Sequence, residues 1–140
     1  MSVIRILLVD DHPLVRQSIR ALLKKATDME IVGEAQDGYD AIKQVENLHP
    51  DVIIMDISMP RLDGISATKH ILHENENGNG NGKGRAKVLI LSMHANETLA
   101  RQALHIGARG YLLKRSISEE LIPAIRQVRE GKIVLSQELA

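Results

Sequence analysis

Residues 51–64 read DVIIMDISMPRLDG, and two features of that stretch decide the fold. Val52 to Met55 is an unbroken apolar run that stops at Asp56 and passes into a loop punctuated by Pro60 and Gly64. A strand without polar alternation is buried on both faces, as parallel strands are. Ile4 to Val9 follows the same plan and stops at Asp10 and Asp11, and Val88 to Leu91 stops at Ser92. Two weaker strand candidates complete the set, Glu30 to Ala35, interrupted by Gly33, and Gly110 to Leu113.

Between these runs lie apolar stripes at helical spacing. Val15, Ile19, Leu22, Leu23 and Ala26 form one; Ala41, Ile42, Val45 and Leu48 a second; Ile65, Thr68, Ile71 and Leu72 a third. Leu99, Ala103 and Ile106 form the fourth, and Leu121, Ile122, Ile125 and Val128 the fifth. Strands alternating with helices five times over imply an α/β protein with a parallel sheet covered on both sides. Right-handed crossovers make it doubly wound, with the functional loops at the carboxyl ends of the strands. Pro13 suits the first turn of helix one, with Asp11 or His12 as its cap, and Gly131 suits the end of helix five. Pro123 sits awkwardly if helix five begins near Ser118, which predicts a kink or a later start. Asn75 to Gly84 reads NENGNGNGKG and predicts a loop remote from the strand carboxyl ends.

Composition narrows the function. The chain has 140 residues, enough to bury roughly two-thirds of its unfolded surface. Its lack of cysteine excludes disulfides, thiolate metal sites and cysteine nucleophiles. Lys plus Arg and Asp plus Glu balance at 18 each, which argues against a surface built to neutralise a nucleic-acid backbone. No basic leader with a long apolar stretch is present and the apolar runs are short, so neither a signal peptide nor a membrane span is expected. A cytoplasmic location follows as the expectation.

The strand ends carry the chemistry. Asp10 and Asp11 follow strand one, Asp56 ends strand three, Ser92 ends strand four and Lys114 follows strand five. Each alone reads as a turn residue or a solvated charge. Together, in a parallel sheet with strands one and three adjacent, they converge on one spot. Two carboxylates about 4 Å apart repel by about 4 kcal/mol at an effective dielectric of about 20, so something positive belongs there. Oxygen-only ligands with room for water and phosphate suit Mg²⁺. Lys114 adds a second positive charge, able to pair with a phosphoryl oxygen or with Asp56, and Ser92 adds a hydroxyl donor. Carboxylate, Mg²⁺, lysine and hydroxyl are the parts that move a phosphoryl group, with an Asp as covalent acceptor. His12 lies beside the acidic pair, where it either tunes the pair or simply begins helix one. His70 and His73 have i, i+3 spacing but no evident third metal ligand.

At "LLVDDH", "DVIIMDISMPRLDG", "LILSMH" and "GARGYLLK" the sequence resembles the receiver domains of bacterial two-component response regulators, in the NarL/LuxR-type subfamily, over residues 3 to about 131. The resemblance implies a flavodoxin-like (βα)5 fold with strand order 2-1-3-4-5. It implies Asp56 as phosphoacceptor, Asp11 as a direct Mg²⁺ ligand, Asp10 as a ligand largely through water, and the backbone carbonyl of Ser58 as the third protein ligand. Lys114 and Ser92 would bind phosphoryl oxygens, and Ser92 and Tyr111 would form the switch, with Tyr111 turning inward. Arg115 stands where many receivers have proline after the lysine. The implied partners are a sensor histidine kinase and, on phosphorylation, a second copy of the chain. DNA would be met only through a C-terminal helix-turn-helix domain. Residues 1–131 are then the receiver, and the tail KIVLSQELA, residues 132–140, resembles the start of a linker toward that domain. On this reading the domain is a signalling switch with slow Mg²⁺-dependent self-phosphorylation and dephosphorylation. A haloacid-dehalogenase-like phosphohydrolase is disfavoured by motif order, an FMN-binding module by the two acids in the first loop, and a pseudo-receiver by the completeness of the site.

Overall fold

The structure, a computed structural model, describes residues 2–76 and 86–139. Five β-α units follow one another: β1 (Ile4–Val9), α1 (Pro13–Leu23), β2 (Met29–Ala35), α2 (Gly38–Leu48), β3 (Val52–Asp56), α3 (Gly64–Glu76), β4 (Lys87–Ser92), α4 (Glu97–His105), β5 (Gly110–Leu113) and α5 (Ile117–Arg129). A short strand, β6 (Val134–Leu135), follows. All pairings are parallel and the sheet order is β2-β1-β3-β4-β5-β6. The expected order 2-1-3-4-5 therefore holds, and a sixth strand from the predicted linker extends it.

The sheet is buried on both faces because successive side chains of each strand point opposite ways. Leu7, Val9, Ile53, Met55, Val88 and Ile90 enter one core beneath α2, α3 and α4. Ile6, Leu8, Val52, Ile54, Leu89 and Leu91 enter the other, beneath α1 and α5. In β2 the pairing with β1 slips between Ile6 and Leu7, so that Ile31 and then Gly33 are opposed and Val32 is skipped; this is the irregularity that Gly33 signals in the sequence.

Three local expectations need correction. Of the two outcomes expected from Pro123, the later start does not occur: a 3₁₀ turn at Lys114–Ser116 leads directly into α5 at Ile117, and Pro123 lies in its interior. Losing one helical hydrogen bond at proline costs about 3 kcal/mol, whereas burying Leu121, Ile125 and Val128 contributes roughly 1.5–3 kcal/mol each. At α1, His12 occupies the capping position but its side chain caps nothing. The Asp10 carboxylate instead accepts from the His12 N–H at 2.8 Å. Helix α3 extends through Glu76, two residues into the predicted Gly/Asn loop; the rest of that loop, 77–84, lies outside the described residues. Gly131 stands just beyond α5 with φ of 90°, the left-handed conformation that glycine adopts without a steric penalty.

Candidate functional site

The parallel register brings four strand ends to one edge. Val9 pairs with Met55, Asp56 with Leu91, and Ser92 with Leu113, so the residues just past β1 and β5 flank the end of β3. Lys114 Nζ lies 3.0 Å from Asp10 Oδ2 and 3.0 Å from Asp56 Oδ1. One ammonium thus bridges two carboxylates that are almost completely buried, Asp10 at 0% and Asp56 at 2% exposure. Asp11 is more open, and His12 Nδ1 stands 3.1 Å from Asp11 Oδ1 and 3.2 Å from Asp10 Oδ1. Ligand atoms of Asp10, Asp11, His12 and Asp56 all lie within 4.8 Å of one another.

The oxygens of this cluster are not all satisfied. Asp56 Oδ1 accepts a long 3.4 Å bond from the Ser58 N–H and meets Lys114, but Asp56 Oδ2 is buried with no hydrogen-bond partner among the described residues. Among the described residues, Asp10 Oδ2 is met by the Lys114 ammonium and by no other hydrogen-bond donor, and Asp11 Oδ1 by His12 alone. Burial, and next the negative charge of Asp10, push the Asp56 carboxyl up to about 6 in spite of Lys114. Burial works to lower the Lys114 pKa, but the hydrogen bonds and charges of Asp56 and Asp10 outweigh it, so the ammonium is held in its charged form. A set of hard carboxylate oxygens with one left unpartnered in a buried position fits a divalent cation. The acidic cluster is thus able to bind a metal ion.

The loop after Asp56 is anchored on α2. Gly38 N–H donates to the Leu62 carbonyl at 3.1 Å, and Gly64 N–H returns to the Ile57 carbonyl at 3.0 Å. Arg61, in the left-handed region at φ 68°, pairs with Asp37, which is buried and also accepts from the Asp40 N–H at the start of α2. That amide bond, opposed by burial and assisted by Arg61, lowers the Asp37 pKa below its ordinary value. Gly64 approaches the strand so closely that a β-carbon there would lie 2.1 Å from the Asp56 carbonyl oxygen.

Ser92 is fully buried, and its hydroxyl bonds its own loop: it donates to the His94 carbonyl at 3.3 Å and accepts from the His94 N–H at 3.1 Å. Tyr111 OH donates to the same carbonyl at 3.3 Å. The ring expected to turn inward is already inside, at 0% exposure, so Ser92 and Tyr111 meet at His94 in this structure. No peptide bond among the described residues is cis, the one following Lys114 included.

Structure therefore brings Asp10, Asp11, Asp56 and Lys114 together as the sequence predicts, with the Ser58 N–H on Asp56, whereas the Ser92 hydroxyl is engaged with His94. Sequence reasoning missed the double contact of His12, the Asp37–Arg61 tether and Arg16, whose guanidinium donates to the Asp10 carbonyl at 2.6 Å. Only His12 had a signal, its adjacency to the acidic pair.

Comparisons with known proteins give the family of this fold. A family model described as the response regulator receiver domain matches residues 6–126. The transcriptional regulatory protein DegU of Brevibacillus brevis is 37% identical over 128 residues, covering 91% of this chain and 51% of that protein. LiaR of Bacillus subtilis is 36% identical over 137 residues, covering 98% of this chain and 61% of its own length. The crystal structure of a LuxR-family two-component response regulator from Aurantimonas sp. superposes with a TM-score of 0.87 at 36% identity, over 99% of this chain and 93% of that one. The chain thus spans between half and two-thirds of the length of the two curated relatives.

Proposed function

We propose, since this chain belongs to the response regulator receiver family, that it is a phosphorylation-operated switch whose acceptor is Asp56. It is a signalling domain and not a turnover enzyme. The observation that carries the reading is the Lys114 ammonium shared between Asp10 and Asp56 while Asp56 Oδ2 stays buried without a partner among the described residues.

In this reading Asp56 Oδ2 attacks the phosphorus of a phosphohistidine on a sensor histidine kinase. The new O–P bond forms as the P–N bond breaks, and the imidazole departs with the bonding pair. A pKa near 6 leaves Asp56 mostly ionised at neutral pH, so its nucleophilic oxygen is available. Lys114 moves from the carboxylate to a phosphoryl oxygen, which carries the charge that develops in transfer. Asp10 and Asp11, with the Ser58 carbonyl, would hold Mg²⁺, and that ion supplies positive charge to the phosphoryl oxygens. Ser92 turns its hydroxyl from His94 to a phosphoryl oxygen, which frees the carbonyl it shares with Tyr111.

We further propose that residues 1–131 act for a DNA-binding output domain reached through 132–140, that phosphorylation favours a homodimer, and that the domain works in the cytoplasm. No helix among the described residues is long and apolar enough to cross a membrane. The reading is tested by incubation with a small acyl phosphate and Mg²⁺. One phosphoryl group should appear on the wild type and none on Asp56→Asn or in excess EDTA. Equal labelling of the variant would overturn it.

A further inference from the structure

The segment that the sequence presents as the beginning of a linker is fastened to the strand that delivers Lys114. Val134 pairs with Gly110 and Leu135 with Tyr111, in parallel. Ser136 N–H then donates to the Tyr111 carbonyl at 3.0 Å. The fully buried Ser136 hydroxyl accepts from the Leu113 N–H at 2.8 Å and donates to Glu120 Oε1 of α5 at 2.6 Å. The other carboxylate oxygen of Glu120 accepts from the Gln137 N–H at 3.1 Å. Arg115, on the far side of Lys114, pairs with Glu138.

We infer that Val134–Leu139 is a clasp coupled to the acidic centre, with Ser136 and Glu120 as positioning residues that act through the end of β5 on Lys114. Leu113 precedes Lys114 directly, so the peptide that aims the lysine is held by Ser136 from one side and by the sheet from the other. The bond from Ser136 is a side-chain bond at the sheet edge, and its replacement leaves a backbone donor without a partner. The clasp is also incompletely packed: Leu135 and Leu139 border a groove of about 150 Å³ against Ala100 and Leu104 of α4. Leu135 and Leu139 pack only partly buried against one core and Val134 against the other, so the clasp is a short, half-buried element beside an open groove, one whose docking equilibrium a small bias can move.

Coupling of this kind is reciprocal. If docking of the clasp improves the placement of Lys114 for a phosphoryl group, a phosphoryl group tightens the clasp by the same factor. The phosphorylation state is then delivered to the chain leaving the domain through one strand, with no need for a relay across a helix. This inference rests on the phosphoacceptor reading of Asp56.

The test uses the full chain with Mg²⁺ and fluoroberyllate, a tetrahedral phosphoryl mimic, and compares wild type with Ser136→Ala, Glu120→Ala and Ser136→Thr. Site occupancy is read from the NMR shift of the Ile57 amide, and the clasp from hydrogen exchange at the Leu113 amide. Ser136→Ala and Glu120→Ala should each weaken the mimic about fivefold to tenfold, within the usual range of coupling between sites. Ser136→Thr should restore binding, and loading the wild type should slow Leu113 exchange by the factor that Ser136→Ala loses. A purely structural Ser136 would lower thermal stability and leave mimic affinity unchanged. Unchanged affinity in both alanine variants overturns the inference, and so does Leu113 exchange indifferent to a site that Ile57 shows to be occupied. If Ile57 does not respond to mimic and Mg²⁺ at all, the phosphoacceptor reading falls first and takes the inference with it.

Discussion

Replacing Asp56 by Asn should make the metal-free protein more stable, and by an amount that depends on pH in a defined way. The Asp56 carboxyl is nearly completely buried beside the Asp10 carboxylate, and its pKa rises from 3.8 to about 6. About two units at about 1.4 kcal/mol each put the cost of ionised Asp56 at about 3 kcal/mol, net of the help from Lys114. Asn keeps the shape and removes the charge, and Lys114 retains Asp10 at 3.0 Å. The gain at pH 7 should therefore be about 2–3 kcal/mol, or roughly 6–10 °C in melting temperature for a domain of this size. The sign follows from linkage. Because the folded pKa is the higher one, protonation of Asp56 favours the fold: the wild type holds that stability below pH 3.8 and loses it as pH rises through about 6. The gap between variant and wild type should therefore be near zero by about pH 3, grow as pH rises between the two pKa values, and reach its plateau above about pH 7. Urea or thermal unfolding in EDTA across that range measures it. A variant less stable than wild type at pH 7, or a gap that does not close on acidification, would refute the electrostatic account.

Lys114→Ala leaves Asp10 and Asp56 facing each other without their shared cation, and breaking a buried pair in this way costs about 3–5 kcal/mol; unfolding at pH 7 should show it, and the loss should shrink toward pH 5 as Asp56 takes up a proton. Gly64→Ala sets a β-carbon 2.1 Å from the Asp56 carbonyl, so it should cost about 1–3 kcal/mol by overpacking and slow phosphoryl uptake, whereas unchanged melting and labelling would mean the loop gives way freely. Residues 1–140, with zero formal net charge, should show no sequence-selective DNA binding at physiological salt in a mobility-shift assay; nanomolar binding would overturn the proposal that another domain touches DNA.

Why some of this was legible in the sequence and some was not has a physical basis. Ile4–Val9, Val52–Asp56 and Lys87–Ser92 announce themselves because burial on both faces forces near-continuous apolar runs. Once those strands are parallel, the meeting of Asp10, Asp56 and Lys114 follows from topology alone, and the structure has one ammonium touching both acids. A later start at Pro123 does not occur because the buried stripe of α5 outweighs the local backbone penalty of proline. Strand β6 was illegible for a different reason: Val134 and Leu135 are too short a run to signal a strand, and what fastens them, Ser136 to Glu120 and Leu113, lies 16 and 23 positions away in the chain. The Asp37–Arg61 tether and the bond from Arg16 to the Asp10 carbonyl likewise depend on where loops come to rest. In the structure Asp37 is the N-cap of α2, and nothing local in the sequence says that it also holds the loop of the phosphoacceptor.

The central claim, that one oxygen of Asp56 is the group that accepts phosphorus, is tested most directly by trapping the product. An acyl phosphate is reduced by borohydride to the alcohol, so treatment of the protein after exposure to a small acyl phosphate and Mg²⁺ should convert the side chain at position 56 to that of homoserine. Peptide mass spectrometry should find this change at Asp56 alone, and should not find it when EDTA is present or the phosphodonor is omitted. Homoserine at Asp10 or Asp11 in place of Asp56, or phosphorus retained on Ser92 or a histidine with position 56 unaltered, would contradict the account.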